Sequence, residues 1–247
     1  LGLSTIVLGG LVEKFQLQGQ ILGEVAMGAV LKHSSDFNLA REATLSSGLS
    51  PHTPGITITR ACGTGLDSLI TVAHKIAVGQ IEAGIGGGAD TTSDVPIAVN
   101  KKLRRRLLDL NRARSLGERI KAALKGFSFG EFKPEFPGVA EPRTGKSMGE
   151  SCEDMAKQWQ IRREDQDLLA YESHQKAAAA YARGFYSDLV MPLRGLDKDN
   201  ILRPDTSLEK LATLKPAFDK RSGNGTLTAG NSTTLSDGAS AALLSSE

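Results

Sequence analysis

Cys62 sits in the segment Pro54-Gly-Ile-Thr-Ile-Thr-Arg-Ala-Cys-Gly-Thr-Gly-Leu-Asp-Ser-Leu69, where one periodicity gives way to another. Before it, Gly55 to Arg60 alternates, with Ile56 and Ile58 on one face and Thr57 and Thr59 on the other, as in a half-buried strand. After it, Leu66, Leu69, Ile70, Ala73, Ile76 and Ala77 follow a helical period that stops at Gly79. A cysteine at such a junction faces unpaired backbone N–H groups and the positive end of a helix dipole, and both favour thiolate. Gly63 and Gly65 clear space beside the sulfur for a carbonyl whose developing oxyanion can take a backbone hydrogen bond. The residues suit a nucleophile; the alternative is a small buried hydrophobe, a common fate of an unpaired cysteine.

Other chemical signals fail on context. Cys152 shares a helical stripe with Met155, Ala156 and Trp159, which predicts a core position. Gly84-Ile-Gly-Gly-Gly-Ala89 satisfies a dinucleotide-binding spacing, but it falls inside a predicted strand and no helix follows. Thr144-Gly-Lys-Ser147 resembles the end of a phosphate loop, yet Ala140 stands where the first glycine is required. His33, His52, His74 and His174 have no mutual metal-ligand spacing, so no metal site is expected.

The elements around Cys62 read as an α/β pattern. Ser4 can cap a helix carrying Leu8, Leu11, Val12 and Phe15; Glu24 to Leu31 reads as a buried strand; Asn38 can cap a helix through Ala43 to Ser47 that stops at Gly48. Ile81 to Ala89 is a strand so rich in small residues that something must approach it closely. Pro134, Pro137 and Pro142 break regular structure. Further on, helices are expected from Ser151, over Glu164 to Ala182 and over Ser207 to Leu214, with strands at Asp188 to Leu193 and Ala239 to Ser245. The expected organisation is one sheet-containing layer of residues 1–99 and 215–247, and an inserted, mainly helical subdomain of residues 100–214.

With 30 Lys and Arg against 28 Asp and Glu among 247 residues, the net charge of +2 excludes a protein that binds nucleic acid through its overall charge. Basic residues are concentrated locally, in Lys101 to Lys125, where Leu103, Leu107, Leu108 and Leu110 interleave with arginines. That stretch is either a solvated helix face or a surface that docks a membrane or a partner. Two cysteines are too few for a disulfide scaffold, and no apolar run reaches the ~18 residues a membrane span needs. A reducing, cytoplasmic location is expected.

Five segments, in order, resemble the thiolase family: Arg60-Ala-Cys-Gly-Thr-Gly-Leu66, Gly84-Ile-Gly-Gly-Gly-Ala-Asp-Thr-Thr-Ser93, Ser147-Met-Gly-Glu-Ser-Cys-Glu-Asp-Met-Ala156, Leu214-Lys-Pro-Ala-Phe-Asp-Lys220 and Thr228-Ala-Gly-Asn-Ser-Thr-Thr-Leu-Ser-Asp-Gly-Ala239. The basic stretch most resembles the 3-ketoacyl-CoA thiolases of fatty-acid β-oxidation, of the trifunctional β-subunit type. The resemblance implies half of a duplicated fold, a mixed sheet with helices on its faces and an inserted helical loop domain. It implies an acetyl-CoA C-acyltransferase whose nucleophile is Cys62, with coenzyme A thioesters as substrates and no resident cofactor. Met148 then falls near the pantetheine, Arg203 near the nucleotide end of coenzyme A, and Ala229, Gly230 and Thr233 along the pantetheine arm. Here Ser147-Met-Gly replaces the His-Met-Gly of many relatives, and Ala-Gly-Asn-Ser-Thr replaces Ala-Gly-Asn-Ala-Ser. A ketosynthase relative would share the strand-cysteine-helix site but not the coenzyme A positions. As partners the resemblance implies a second copy in a homo-oligomer, a trifunctional α subunit and a peripheral membrane contact. The family's Gly-His-Pro, Cys-Gly-Gly and Asn-Glu-Ala motifs are absent, as is its opening strand. The chain is therefore expected to be an N-terminal half with little activity by itself.

Overall fold

The computed structural model describes residues 1–246; Glu247, the last residue of the expected sheet layer, lies outside them. Backbone contacts divide the chain into two compact units, one of residues 1–137 continued from Ser236 onward, the other Gly138–Leu235. This division differs from the expected one. Residues 100–137 stay with the first unit because β4 (Ala98–Val99) pairs with β5 (Pro134–Glu135), which closes the basic excursion back on itself. Residues 215–235 join the second because Thr226 and Leu227 bond to Glu153.

The first unit runs α1 (Gly2–Lys14), β1 (Glu24–Gly28), α2 (Leu39–Leu45), β2 (Gly55–Thr57), α3 (Thr64–Ala77) and β3 (Ala83–Asp90), and it ends with β6 (Gly238–Ser245). The main sheet has the order β2-β1-β3-β6, with β1 parallel to β2 and β3, and β6 antiparallel to β3. Leu8 and Val12 of α1, Ala40 and Ala43 of α2, Val25 and Met27 of β1 and Ile85 of β3 form its buried core. Each large side chain buried there contributes roughly 1.5–3 kcal/mol. Alternation turns Gly84 and Gly86 to the opposite face, where α3 comes so close that a Cβ on Gly86 would lie 2.7 Å from the Leu69 Cα.

That approach corrects the expected face of α3. Thr64, Ser68 and Val72 are its buried residues, whereas Leu66 is 65% exposed and Ile70 41%. The helical period is right but the buried side is rotated, so that Val72 and Leu69 meet the glycine strand while Leu66 and Ile70 turn outward. Other expectations also change. Helix α1 begins at Gly2, so Ser4 is a buried interior residue rather than a cap. Strand β1 stops at Gly28 and β2 at Thr57, short of the expected Leu31 and Arg60. Asn38 does cap α2, its side chain accepting the Arg41 N–H at 3.2 Å.

In the basic stretch, α4 (Lys101–Arg112) and α5 (Leu116–Leu124) have no buried residue. Their internal tie is Arg106, which donates to both carboxylate oxygens of buried Glu131 at 2.7 Å and to the Ala122 and Ala123 carbonyls. The guanidinium holds the Glu131 carboxyl below its ordinary range.

The second unit contains α6 (Met148–Gln158), α7 (Arg163–Ala182) and α8 (Leu208–Ala212). Ser147 and Glu150 form a capping box at the start of α6. Residues 188–193 form turns and a single bridge between Leu193 and Leu196 rather than the expected strand. Cys152, expected in the core, is exposed, because the inward side of α6 carries Glu153 and Ala156 instead. Among the described residues no helix is long and apolar enough to cross a membrane.

Candidate active site

The parallel strands β1 and β3 end on the same side of the sheet, the usual place for a ligand crevice in an open α/β sheet. There the chain forms a cleft of about 320 Å³ lined by Gly28, by Ala61, Cys62, Thr64 and Gly65, by Gly88 to Asp90, and by Gly238 to Ser240. Cys62 is exposed, so its thiol is not packed into the core.

A tight elbow presents the sulfur. Ala61 has φ +42°, a left-handed conformation that strains a residue carrying a Cβ. Thr64 holds it there, since its hydroxyl donates to the Ala61 carbonyl at 2.7 Å and accepts the Arg60 N–H at 2.7 Å. The Gly63 N–H bonds the Arg60 carbonyl at 3.0 Å. Helix α3 then starts with Gly63 as a cap that has no side-chain acceptor, so the positive helix end lies one residue from the sulfur. Asp67 in its first turn is paired with Arg60 at 3.0 Å. The close fit extends beneath: a Cβ on Gly28 would lie 1.9 Å from the Ile58 carbonyl oxygen and 2.8 Å from the Thr64 methyl.

Two carboxylates pin loops at the rim. Asp90 accepts the Val30 N–H at 3.0 Å and the Leu31 N–H at 2.7 Å. Asp237 accepts the Thr92 and Ser93 N–H groups at 2.7 and 3.0 Å, and its carboxyl is held below the ordinary range, first by the Ser93 hydroxyl. Neither was singled out from the sequence, where an aspartate after a strand looks like any turn residue.

Met148, Arg203, Ala229, Gly230 and Thr233 all belong to the second unit, and Cys62 belongs to the first. Met148 opens α6 and is 75% exposed; beside it, Gly149 lies under the Phe218 ring, with no room for a Cβ. Ala229 and Thr233 are exposed on the loop that follows Leu227, and Gly230 packs against Leu211 and Leu214. Buried polar groups fix that loop. Glu153 accepts the Thr226 and Leu227 N–H groups at 2.8 and 2.9 Å. Asn231 accepts the Thr228 N–H at 2.7 Å and donates to Asp167 at 2.9 Å, and Asp167 takes Arg163 at 2.8 Å. Arg203 is exposed; its N–H donates to His174 Nδ1 at 3.2 Å and its guanidinium to the Asn200 and Leu202 carbonyls. Sequence reasoning missed Glu153 and Asp167, because a buried carboxylate on a helix has the same pattern as a solvated one, and Asn231, because an asparagine in a loop reads as a turn residue.

Comparison with known proteins agrees with this architecture. A 3-ketoacyl-CoA thiolase of Shewanella baltica is 42% identical over 253 residues, which covers all of this chain and 57% of the relative. A 3-ketoacyl-CoA thiolase of Pectobacterium carotovorum is 41% identical over the same span. The crystal structure of human mitochondrial 3-ketoacyl-CoA thiolase in complex with CoA superposes with a TM-score of 0.78 at 28% identity, covering 99% of this chain and 58% of that one. The chain thus spans a little over half the length of the relatives it matches. The sequence model of the thiolase N-terminal domain matches residues 1–247 in full, and the chain belongs to that family.

Proposed function

We propose that this chain carries the acyl-accepting part of a thiolase-type acetyl-CoA C-acyltransferase, with Cys62 as the nucleophile. The observation that carries the reading is an exposed thiol on a strained elbow, at a helix N-terminus, in a cleft at the strand ends. In the degradative direction the Cys62 sulfur attacks the keto carbon of a 3-ketoacyl-CoA. The bond between that carbon and the α carbon breaks, and its electron pair leaves as the enolate of acetyl-CoA, which must take a proton. The thiol of coenzyme A then lifts the acyl group from the sulfur, so coenzyme A thioesters are substrates and no resident cofactor is required. Met148, Arg203, Ala229, Gly230 and Thr233 are the proposed coenzyme A contacts, a role supported by the exposure of Met148, Arg203, Ala229 and Thr233 and by the rigid backbone beneath the loop.

The proton donor is the missing part. The cleft lining offers a thiol, two hydroxyls and one carboxylate, with no histidine or second cysteine. Loss of an acid/base group costs ~10²- to 10⁴-fold in rate. We therefore read the chain as the N-terminal portion of a longer enzyme, a reading supported by its share of the relatives' length and by the exposed Leu66 and Ile70 on α3. Edge strand β2 is the proposed contact with a second copy, because among the described residues no strand pairs with its outer side. Two free cysteines support the reducing cytoplasm as the setting.

Incubation with acetyl-CoA followed by intact-mass measurement tests the nucleophile. One acetyl group should be gained, and Cys62→Ala should abolish the gain while Cys152→Ala does not. Absence of acylation at Cys62 overturns the reading, and rapid thiolysis by this chain alone overturns the fragment part of it.

A second reading is favoured by α4 and α5, which leave Leu107, Leu108, Leu116, Ile120 and Leu124 exposed among their basic residues. Such a surface suits an anionic membrane or an acidic face of an α subunit. Co-sedimentation with anionic vesicles that weakens as salt rises would support it, and binding that does not respond to salt would exclude an electrostatic dock.

A further inference from the structure

Among the residues that line the Cys62 cleft, Asp90 alone brings an ionised carboxylate or ammonium-type group; the others are Gly, Ala, Ser, Thr and the cysteine itself. Its Oδ1 accepts the Val30 N–H at 3.0 Å and the Leu31 N–H at 2.7 Å, and its Oδ2 meets the Val30 N–H at 3.1 Å. These amides hold the carboxylate in place but do not cancel its charge, and among the described residues no lysine or arginine is paired with it. The nearby cation Lys32 is committed to the Ala29 carbonyl at 2.6 Å and the Thr59 hydroxyl at 2.9 Å. Arg60, beside the nucleophile, is paired with Asp67.

The cleft therefore presents one fixed negative charge to whatever approaches the sulfur. We propose that Asp90 is a specificity-determining residue of this site, which selects neutral acyl groups and disfavours those that carry an anion near the reacting carbonyl. The proposal rests on the reading of Cys62 as the acyl-accepting thiol and names the substrate class of that same site. Two unit charges several ångströms apart in a half-solvated cleft interact by about 1 kcal/mol, so the discrimination is about 3- to 10-fold.

The test uses the full chain and two alkylating agents of nearly equal size, neutral iodoacetamide and anionic iodoacetate. In both, the thiolate displaces iodide and forms a carbon–sulfur bond. Exposed Cys152 in the second unit is the reference thiol within the same molecule. Asp90→Asn removes the charge while its Oδ1 still accepts both amides. It should raise the iodoacetate rate relative to the iodoacetamide rate at Cys62 by about 3- to 10-fold, with the ratio at Cys152 unchanged. In the unaltered chain the same ratio at Cys62 should rise with salt, since a full negative charge outweighs the roughly half-unit positive end of α3. The salt result decides the matter should Asp90→Asn fail to fold. A ratio at Cys62 that ignores both the substitution and salt overturns the proposal while leaving Cys62 a nucleophile. A Cys62 that neither reagent alkylates overturns the reading of the site and this proposal with it.

Discussion

Around Cys62, backbones touch: Gly28, Gly84 and Gly86 let α3, β3 and the Cys62 elbow close to contact, and every one of them would clash if it carried a Cβ. Beneath the Ala229–Thr233 loop, by contrast, Glu153, Asp167 and Asn231 hold the chain by hydrogen bonds, in a unit whose buried apolar residues are few, such as Ala156, Ala180, Leu211 and Leu227. Close packing, together with the Thr64 hydroxyl bonded to Arg60 and Ala61, keeps the Cys62 elbow from shifting. The Ala229–Thr233 loop has its backbone fixed from below by these side chains, while Ala229 and Thr233 stay exposed. The first region should fail by steric insult and the second by loss of charge or hydrogen-bond acceptors.

Gly28→Ala should produce the largest effect. Overpacking against the Ile58 carbonyl should cost ~3 kcal/mol or more and slow Cys62 alkylation, with Trp159 fluorescence in the second unit nearly unchanged in the native state. Next is Glu153→Ala, which strands the Thr226 and Leu227 N–H groups in a buried site and should cost ~2–3 kcal/mol. Its signature is faster hydrogen exchange at those two amides while Cys62 reactivity is retained; equal loosening of β1 and β3 would erase the contrast between the regions.

Acid should separate the two as well. Glu141, Glu150, Asp165, Asp205, Glu209 and Asp219 of the second unit all have carboxyl groups held below their ordinary range. For Asp219 the first cause is Lys157, then the Ser222 hydroxyl. In the first unit only Glu131 and Asp237 are lowered in this way among the described residues. A group whose folded value is depressed stabilises the fold above its unfolded value near pH ~4, and that stabilisation is lost as pH falls through the folded value. The second unit should therefore loosen first below pH ~4, read by Trp159 fluorescence, before the sheet signal changes. Asp219→Asn should flatten that dependence.

Gly65→Ala should have the smallest effect. This glycine lines the cleft, and a Cβ there meets nothing within 4 Å, unlike those at Gly28 and Gly86. The helix should gain ~0.5 kcal/mol in thermal unfolding while the added methyl slows Cys62 alkylation modestly.

The local code was readable where a single residue sets a single bond. Asn38 caps its helix as expected, and Gly48, Gly79 and Gly184 close turns with positive φ as glycine allows, whereas the caps Ser147 and Ser207 were not singled out. The elbow at Cys62 was also legible, because strand period, cysteine and helix period adjoin in the chain. The small residues of Ile81 to Ala89 also announced a close approach, which α3 makes at Gly86, but which side chains turn inward escaped. Leu66 and Ile70 look like core residues, and Cys152 and Trp159 look like an apolar stripe, yet all are exposed. Glu153 and Asp167 look like surface residues and are buried, since the amides and the arginine that satisfy them come from tens of residues away or from the next helical turn.

Legible along the chain were the α/β order, the place of Cys62 between a strand and a helix, and the family to which the spaced segments belong. These follow from backbone periodicity and capping, which act over a few residues. Tertiary structure alone decided which face of α3 turns inward, that Asp90 stands in the cleft with Cys62, and that carboxylates rather than apolar side chains hold the second unit's loop. Those outcomes depend on which side of a helix meets the glycine strand and on which buried charge finds donors, and neither is written in local order along the chain.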